Sequence, residues 1–172
     1  MATGAICTLA VGAAAGTPKR NVYADRLHGY TNALREREVP IDPSLIIQTD
    51  LKEEDGIAAA HKLLALDPLP DGVFAANDTA AAACIKTLRE AGIGIPDQIA
   101  VAGFNNDPIS RVIEPELTTI HYPGQEMGEL AATTLINAIR GAHSVSLNNL
   151  ILRHQLIVRK SSERIKTNAN QK

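Results

Sequence analysis

The residues best able to do chemistry stand in pairs, Thr49-Asp50, Asn77-Asp78 and Asn105-Asn106, and each pair follows a short apolar run. Amides and carboxylates gathered in this way supply paired donors and acceptors, the chemistry that holds neutral polyols. The same residue types are favoured helix N-caps, and Asp78 reads as a cap rather than a ligand contact. Asn77 and Asn105 are the candidates for ligand contact. Catalytic patterns are missing: there is no Gly-x-Ser-x-Gly elbow and no Gly-x-Gly-x-x-Gly after the first apolar run. Gly12 and Gly16 could approach a phosphate, but no Lys and Ser/Thr pair follows at phosphate-loop spacing. The histidines, His28, His61, His121, His143 and His154, include no i, i+4 pair. No metal site and no cofactor are expected.

The elements that must position these residues alternate between short apolar runs and helical periodicity. Ala5–Val11 reads as a strand, followed by the small, flexible stretch Gly12–Pro18. Leu27, Tyr30 and Leu34 recur at helical spacing from about Tyr23 to Arg37, and Val39-Pro40 ends that helix. Leu45–Ile47 is the second strand. A helix opening on Glu53, Glu54 and Asp55 follows, with Ile57, Ala60 and Leu64 on its inner face. Gly72–Ala75 is a strand and Asp78–Ala91 a helix with Ala81, Ile85 and Leu88 inward, Gly92 supplying its left-handed C-cap. Ile99–Ala102 is the fourth strand. The rhythm then breaks at Asp107-Pro108 and Glu114-Pro115. Leu117–Ile120 reads as a strand, Met127, Leu130, Thr134 and Ala138 share a face of a longer helix, and Ile151–Val158 alternates as a last strand. Lys160–Lys172 reads as a solvated tail. The pattern predicts an α/β fold, a doubly wound parallel sheet that receives ligands beyond the carboxyl ends of its strands.

Composition narrows the function. With 172 residues, 45% of them apolar and 21% charged, the chain is long enough for one full domain and has the balance of a soluble globular protein. A net charge of −2 offers no electrostatic footprint for nucleic acid, so direct DNA binding is not expected of it. Aromatics are only 3%, which argues against a base-stacking platform. Cys7 and Cys84, 77 positions apart, read as buried thiols in a reducing cytosol rather than a disulfide. No apolar run reaches the roughly 18 residues of a membrane span, and the N-terminus is a poor signal peptide. A cytoplasmic protein is expected. Because the chain enters a strand almost at once, it reads as a fragment or a truncated product.

The run Ala91–Asn106, with Phe74–Asp78 and Pro115–Thr119, resembles the signature of the lactose/galactose repressor family of bacterial transcription regulators. Arg26–Tyr30, Gln125–Gly128 and Leu156–Ser161 match in the family's order, so the resemblance runs from about Ala5 to Ser161. It implies a periplasmic-binding-protein-like type I fold, in which two α/β lobes of flavodoxin-like topology close on a small effector. Residues 5–116 would then be the C-terminal lobe, 117–150 a crossover strand and helix that pack on the N-terminal lobe, 151–161 a returning strand, and 162–172 a disordered tail. The helix-turn-helix, the hinge helix and most of the N-terminal lobe have no counterpart in this sequence.

The resemblance also implies effector contacts. Arg26 matches an arginine that holds ligand hydroxyls or carboxylates, and Asn77 the Asn of the Asn-Asp pair. Asn105 stands where most members have Asp, and an amide cannot accept two hydroxyl hydrogen bonds as a carboxylate can. Arg20 lies at the distance of another contact, across a loop about four residues longer than usual in the family. Leu51 stands where many members place a stacking aromatic, and Ala83 replaces a usual Gly. The expected function is sensing of a small polar effector, a sugar or polyol, that controls operator binding by a homodimer. DNA would be met only through a helix-turn-helix domain outside this chain, and no membrane is involved. Segments 78–90 and 108–113 would form the dimer interface, with Ile85 and Leu88 shared between core and interface. The rival reading is a solute-binding protein of a sugar transporter, and a doubly wound enzyme is a more distant one.

Overall fold

The computed structural model describes residues 5–11, 21–140 and 150–164. Strand β1 (Ile6–Val11) pairs in parallel with β2 (Ile46–Thr49) on one side and β3 (Gly72–Ala75) on the other, and β3 pairs with β4 (Ala100–Ala102). The order β2-β1-β3-β4 puts the first strand inside the sheet. Single parallel bridges, Ala102 to Thr118 and Asn105 to His121, then set β5 (Thr119–His121) along the far side of β4. The parallel sheet is the one the apolar runs predict, and its doubly wound order is the one the resemblance implies.

Helix α1 (Asn21–Glu36) joins β1 to β2, α2 (Glu53–Leu64) joins β2 to β3, and α3 (Asp78–Glu90) joins β3 to β4. Right-handed crossovers require α1 on one face and α2 and α3 on the other, because the chain reverses its direction across the sheet after β2. The extensive packing of α2 against α3 follows from this. That contact is close because Gly56 faces the Ala80 carbonyl, where a Cβ would stand 2.3 Å from the oxygen. The layer beneath holds Ile47, Leu63, Val73, Ile85, Leu88, Ile99, Val101 and Leu117 in one apolar cluster. Burial of each such side chain contributes about 1.5–3 kcal/mol. Cys7 and Cys84 are buried and unbridged, and burial pushes both thiols up to about 12.

Local signals explain the ends of the helices. The Asp55 carboxylate accepts the Lys52 N–H at 3.0 Å, and the acidic first turn suits the amino end of α2. Gly92, at φ 85°, closes α3 with Ile93 N–H on the Leu88 carbonyl and Gly92 N–H on the Arg89 carbonyl.

Several sequence expectations are corrected. The N-cap of α3 is Asn77, whose Oδ1 accepts the Ala80 N–H at 2.9 Å, and Asp78 is not the cap. Ile85 and Leu88 are 0% exposed and belong wholly to the core, so neither is shared with an outer surface. The last strand shrinks to β6 (Gln155–Ile157), antiparallel to β5, because β5 offers only three partners. A four-residue helix, α4 (Ile109–Val112), fills the stretch where the rhythm broke. The tail expected from Lys160 is anchored as far as Arg164, whose guanidinium donates to the carbonyls of Asp71, Pro96 and Gln98.

Helix α5 (Gly124–Ile139) has no buried residue. With Tyr122, Pro123, Leu150, Leu152 and His154, its apolar face borders a groove of about 600 Å³.

Candidate functional site

The strand order reverses between β1 and β3, and in open parallel sheets the crevice at that point, beyond the carboxyl ends, receives ligands. The chain brings Arg26, Asn77, Asn105 and the Leu51 backbone together there. Arg26 projects from the second turn of α1. Its Nη1 donates to the Ala76 carbonyl just past β3, and its Nη2 donates to Asn105 Oδ1 at 3.3 Å, past β4. One guanidinium thus spans the ends of both strands.

Asn77 uses both ends of its amide. Besides capping α3, it donates from Nδ2 to the Leu51 carbonyl at 2.8 Å. Leu51 sits at φ 61°, a left-handed turn between β2 and α2, with its side chain in the core at 3% exposure. The place where the resemblance implies a stacking aromatic therefore presents backbone rather than a side-chain face. Arg20 lies outside the described residues.

The Phe104 ring lies under Arg26, with the guanidinium carbon 3.8 Å from its centroid. Such a pair typically contributes about 0.5–1 kcal/mol where exposed and more when desolvated. Phe104 meets His154 edge-on at 5.8 Å, and His154 lies 6.1 Å from the Tyr122 ring. An aromatic border therefore runs from the site towards the groove at α5. Sequence reasoning missed Phe104, although its place one residue before Asn105 was a usable signal.

A buried polar frame holds the loop that carries Asn105. Asp78 is 0% exposed, and its Oδ1 accepts from Thr119 Oγ1 at 2.6 Å while its Oδ2 accepts the Asp107 N–H at 2.7 Å. Burial raises its carboxyl above the ordinary range, against the lowering effect of the Thr119 and Asp107 hydrogen bonds. Gly103 makes room for it, since a Cβ there would stand 2.2 Å from Asp78 Oδ1. Asn105 and Asn106 take φ values of 114° and 59°, in the region that side chains rarely adopt. Among the described residues no group of three or more His, Cys, Asp or Glu is arranged to hold a metal.

The arrangement suits a small hydroxyl-bearing molecule: a fixed cation, two amides and an aromatic edge at one crevice. Comparison with known proteins agrees with the fold. The periplasmic binding protein-like domain family matches residues 5–162. The ribose operon repressor of Haemophilus influenzae is 30% identical over 151 residues, 88% of this chain and 45% of the repressor. The HTH-type transcriptional regulator DegA of Bacillus subtilis is 37% identical over 143 residues, 83% of this chain and 42% of the regulator. Among solved structures, a transcriptional regulator CelR–cellobiose complex superimposes with a TM-score of 0.80 at 31% identity, over 92% of this chain and 47% of that one. A LacI-family regulatory protein from Chloroflexus aggregans gives 0.82 at 28% identity, over 93% and 56%. The chain spans about half the length of the relatives it matches. On the match over residues 5–162 and these likenesses to lactose-repressor-type regulators, the chain belongs to the periplasmic binding protein-like domain family.

Proposed function

We propose that the chain is the effector-sensing part of a ligand-responsive transcription regulator, acting by binding rather than catalysis. The observation that carries this reading is the convergence of Arg26, Asn77 and Asn105 at the switch point, linked through Ala76 and the Leu51 carbonyl. The effector would be a small sugar or polyol, met by the guanidinium, the amides and the aromatic edge of Phe104. In the full-length regulator a second lobe would cover the groove at α5 and close over the ligand. Closure would shift the population of a homodimer between DNA-binding and non-binding geometries.

For the dimer, α3 and 108–113 offer Val112, 78% exposed, beside Ile109 and a depression of about 400 Å³ lined by Lys86, Arg89, Glu90, Ile113 and Glu114. DNA would be reached through a helix-turn-helix domain of the whole regulator, since a net charge of −2 gives this chain no overall attraction to a polyanion. Such a regulator works in the cytoplasm. The relatives named above are regulators, so the solute-binding reading is not favoured.

The test is titration of the isotopically labelled chain with cellobiose, ribose, glucose and galactose, followed by amide shifts. One lobe supplies half of a two-sided site, so affinity in the millimolar range, about 4 kcal/mol, is expected. Shifts should centre on Arg26, Asn77 and Asn105, and Arg26→Ala should weaken them about tenfold or more. If no sugar moves these residues at roughly 100 mM, far above that range, the sugar-effector reading is wrong.

A further inference from the structure

Arg159 lies in the segment Leu156–Ser161, to which the effector reading gives no task. Its backbone is pinned by Thr118, whose Oγ1 accepts the Arg159 N–H at 2.7 Å and donates to the Arg159 carbonyl at 2.9 Å. Held there, the guanidinium reaches three separate stretches of chain. Nη1 donates to the Leu117 carbonyl at 2.7 Å and to Ser110 Oγ at 3.2 Å. Nη2 donates to Asn106 Oδ1 at 2.9 Å. Ser110 belongs to α4 and itself donates to the Asp107 carbonyl at 2.7 Å.

Asn106 is thereby held on several sides. Its N–H reaches Thr119 Oγ1 at 3.2 Å, its Oδ1 receives Arg159, and its Nδ2 lies 3.4 Å from His121 Nδ1. Left-handed non-glycine residues persist only where their surroundings over-determine them. Asn105 and Asn106 are two such residues in succession, and the first carries the amide that meets Arg26. The planar fork of arginine can donate in several fixed directions at once, which a lysine ammonium cannot reproduce.

We infer that Arg159 is a positioning residue of the candidate site: without touching the ligand, it sets the backbone of 105–107, aims the Asn105 amide, and ties that loop to α4. The link to ligand binding rests on the effector reading above. The link to the loop stands on the hydrogen bonds alone.

The experiment compares wild type with Arg159→Met, Arg159→Lys, Asn105→Ala and the Arg159→Met/Asn105→Ala double variant in the labelled chain. Arg159→Gln, which keeps a planar donor, replaces the methionine variant should that one not fold. Hydrogen exchange at Asn106, Asp107 and Ser110 should accelerate about tenfold or more in Arg159→Met, while α2 and β1 amides change little. Arg159→Lys should restore only part of this protection. Sugar binding, followed with whichever of the four sugars shifts Asn105 in wild type, should fall about tenfold in Arg159→Met. The double variant should bind no worse than the weaker single one, because two residues acting through one contact are non-additive. Exchange at 106–110 no faster than wild type, or faster to the same degree across the whole sheet, overturns the inference. Full additivity with Asn105→Ala removes its ligand-positioning half. If no sugar shifts Asn105 in wild type, the effector reading fails instead, and the exchange pattern still decides whether Arg159 holds the loop.

Discussion

Replacing Asn77 by alanine removes two interactions that differ in kind. The first is the N-cap of α3, Ala80 N–H to Asn77 Oδ1 at 2.9 Å. Loss of such a cap costs about 1 kcal/mol, within roughly 0.5–2. The second is the donor to the Leu51 carbonyl at 2.8 Å. That carbonyl belongs to a residue at φ 61° whose side chain is in the core, so the strand-to-helix turn can shift little to find another donor. A part-buried acceptor left unpaired costs about 1–3 kcal/mol. Together the loss should be about 2–4 kcal/mol. For a domain of this size each kcal/mol lowers Tm by roughly 2–4 °C, so a fall of about 5–15 °C is expected. Asn77→Ser keeps a capping oxygen but cannot reach Leu51, and should lose about half as much. The assay is urea and thermal unfolding of the three proteins, with midpoint and slope compared. An Asn77→Ala protein within about 0.5 kcal/mol of wild type, the scatter of neutral surface changes, would refute the reasoning. The consequence for function is direct: weaker ligand binding in Asn77→Ala would mix lost contact with lost stability, so Arg26 and Asn105 are the cleaner probes.

Gly56→Ala should destabilise by about 2 kcal/mol despite the gain in helix propensity, because the new Cβ would press on the Ala80 carbonyl. Gly29→Ala in α1, where nothing lies within 4 Å, should stabilise by up to about 1 kcal/mol, and unfolding curves of the pair check both signs. For Asp78 the folded carboxyl is raised above its ordinary value of 3.8, so the native state holds its proton more tightly than the unfolded chain. That contribution is fully present below the ordinary value and lost as pH rises through the folded one. Wild type should therefore lose stability relative to Asp78→Asn as pH rises above the ordinary carboxyl value and through the raised folded one, and a pH-independent difference would contradict this. Cys7 and Cys84, buried and raised to about 12, should resist alkylation by iodoacetamide at pH 8 in the native chain and react on unfolding.

Much of the fold was legible because its signals are local. Short apolar runs between periodic segments placed β1 to β4, and Gly92 marked the end of α3 where a left-handed residue was needed. The cap was misassigned because Asn and Asp carry the same capping chemistry. Only the backbone decides between them: Asn77 is still extended at φ −153°, so the helix starts one residue later. Helix α4 has four residues, too few for any period to register. β6 reads longer in sequence than it is because alternation does not report how many partners a neighbouring strand supplies. For the candidate site, Arg26, Asn77 and Asn105 were named from the sequence, and the structure joins Arg26 to Asn105 directly and to Ala76, the neighbour of Asn77. Leu51 was found but turns its side chain into the core. Arg159 was invisible as a contributor because it contacts Asn106 across 53 positions, a pairing that no spacing rule encodes.

Ser161 has a further consequence, for the order in which the molecule assembles. Its N–H and Oγ serve Glu116 and Thr118, while its carbonyl and Oγ serve both backbone groups of Val101. One residue thus acts as a strand between β4 and the segment leading to β5, closing a loop of 60 positions back to Val101. Loop-closure entropy places such a junction late, after β1 has joined β2 and β3 has joined β4 through shorter connections. Until it forms, the backbone groups of Val101 that Ser161 serves remain open at the border of the sheet, a place where another chain can pair. Refolding at high concentration should therefore be limited by association at this border. Removing the Ser161 hydroxyl should make that association worse even where the native fold survives.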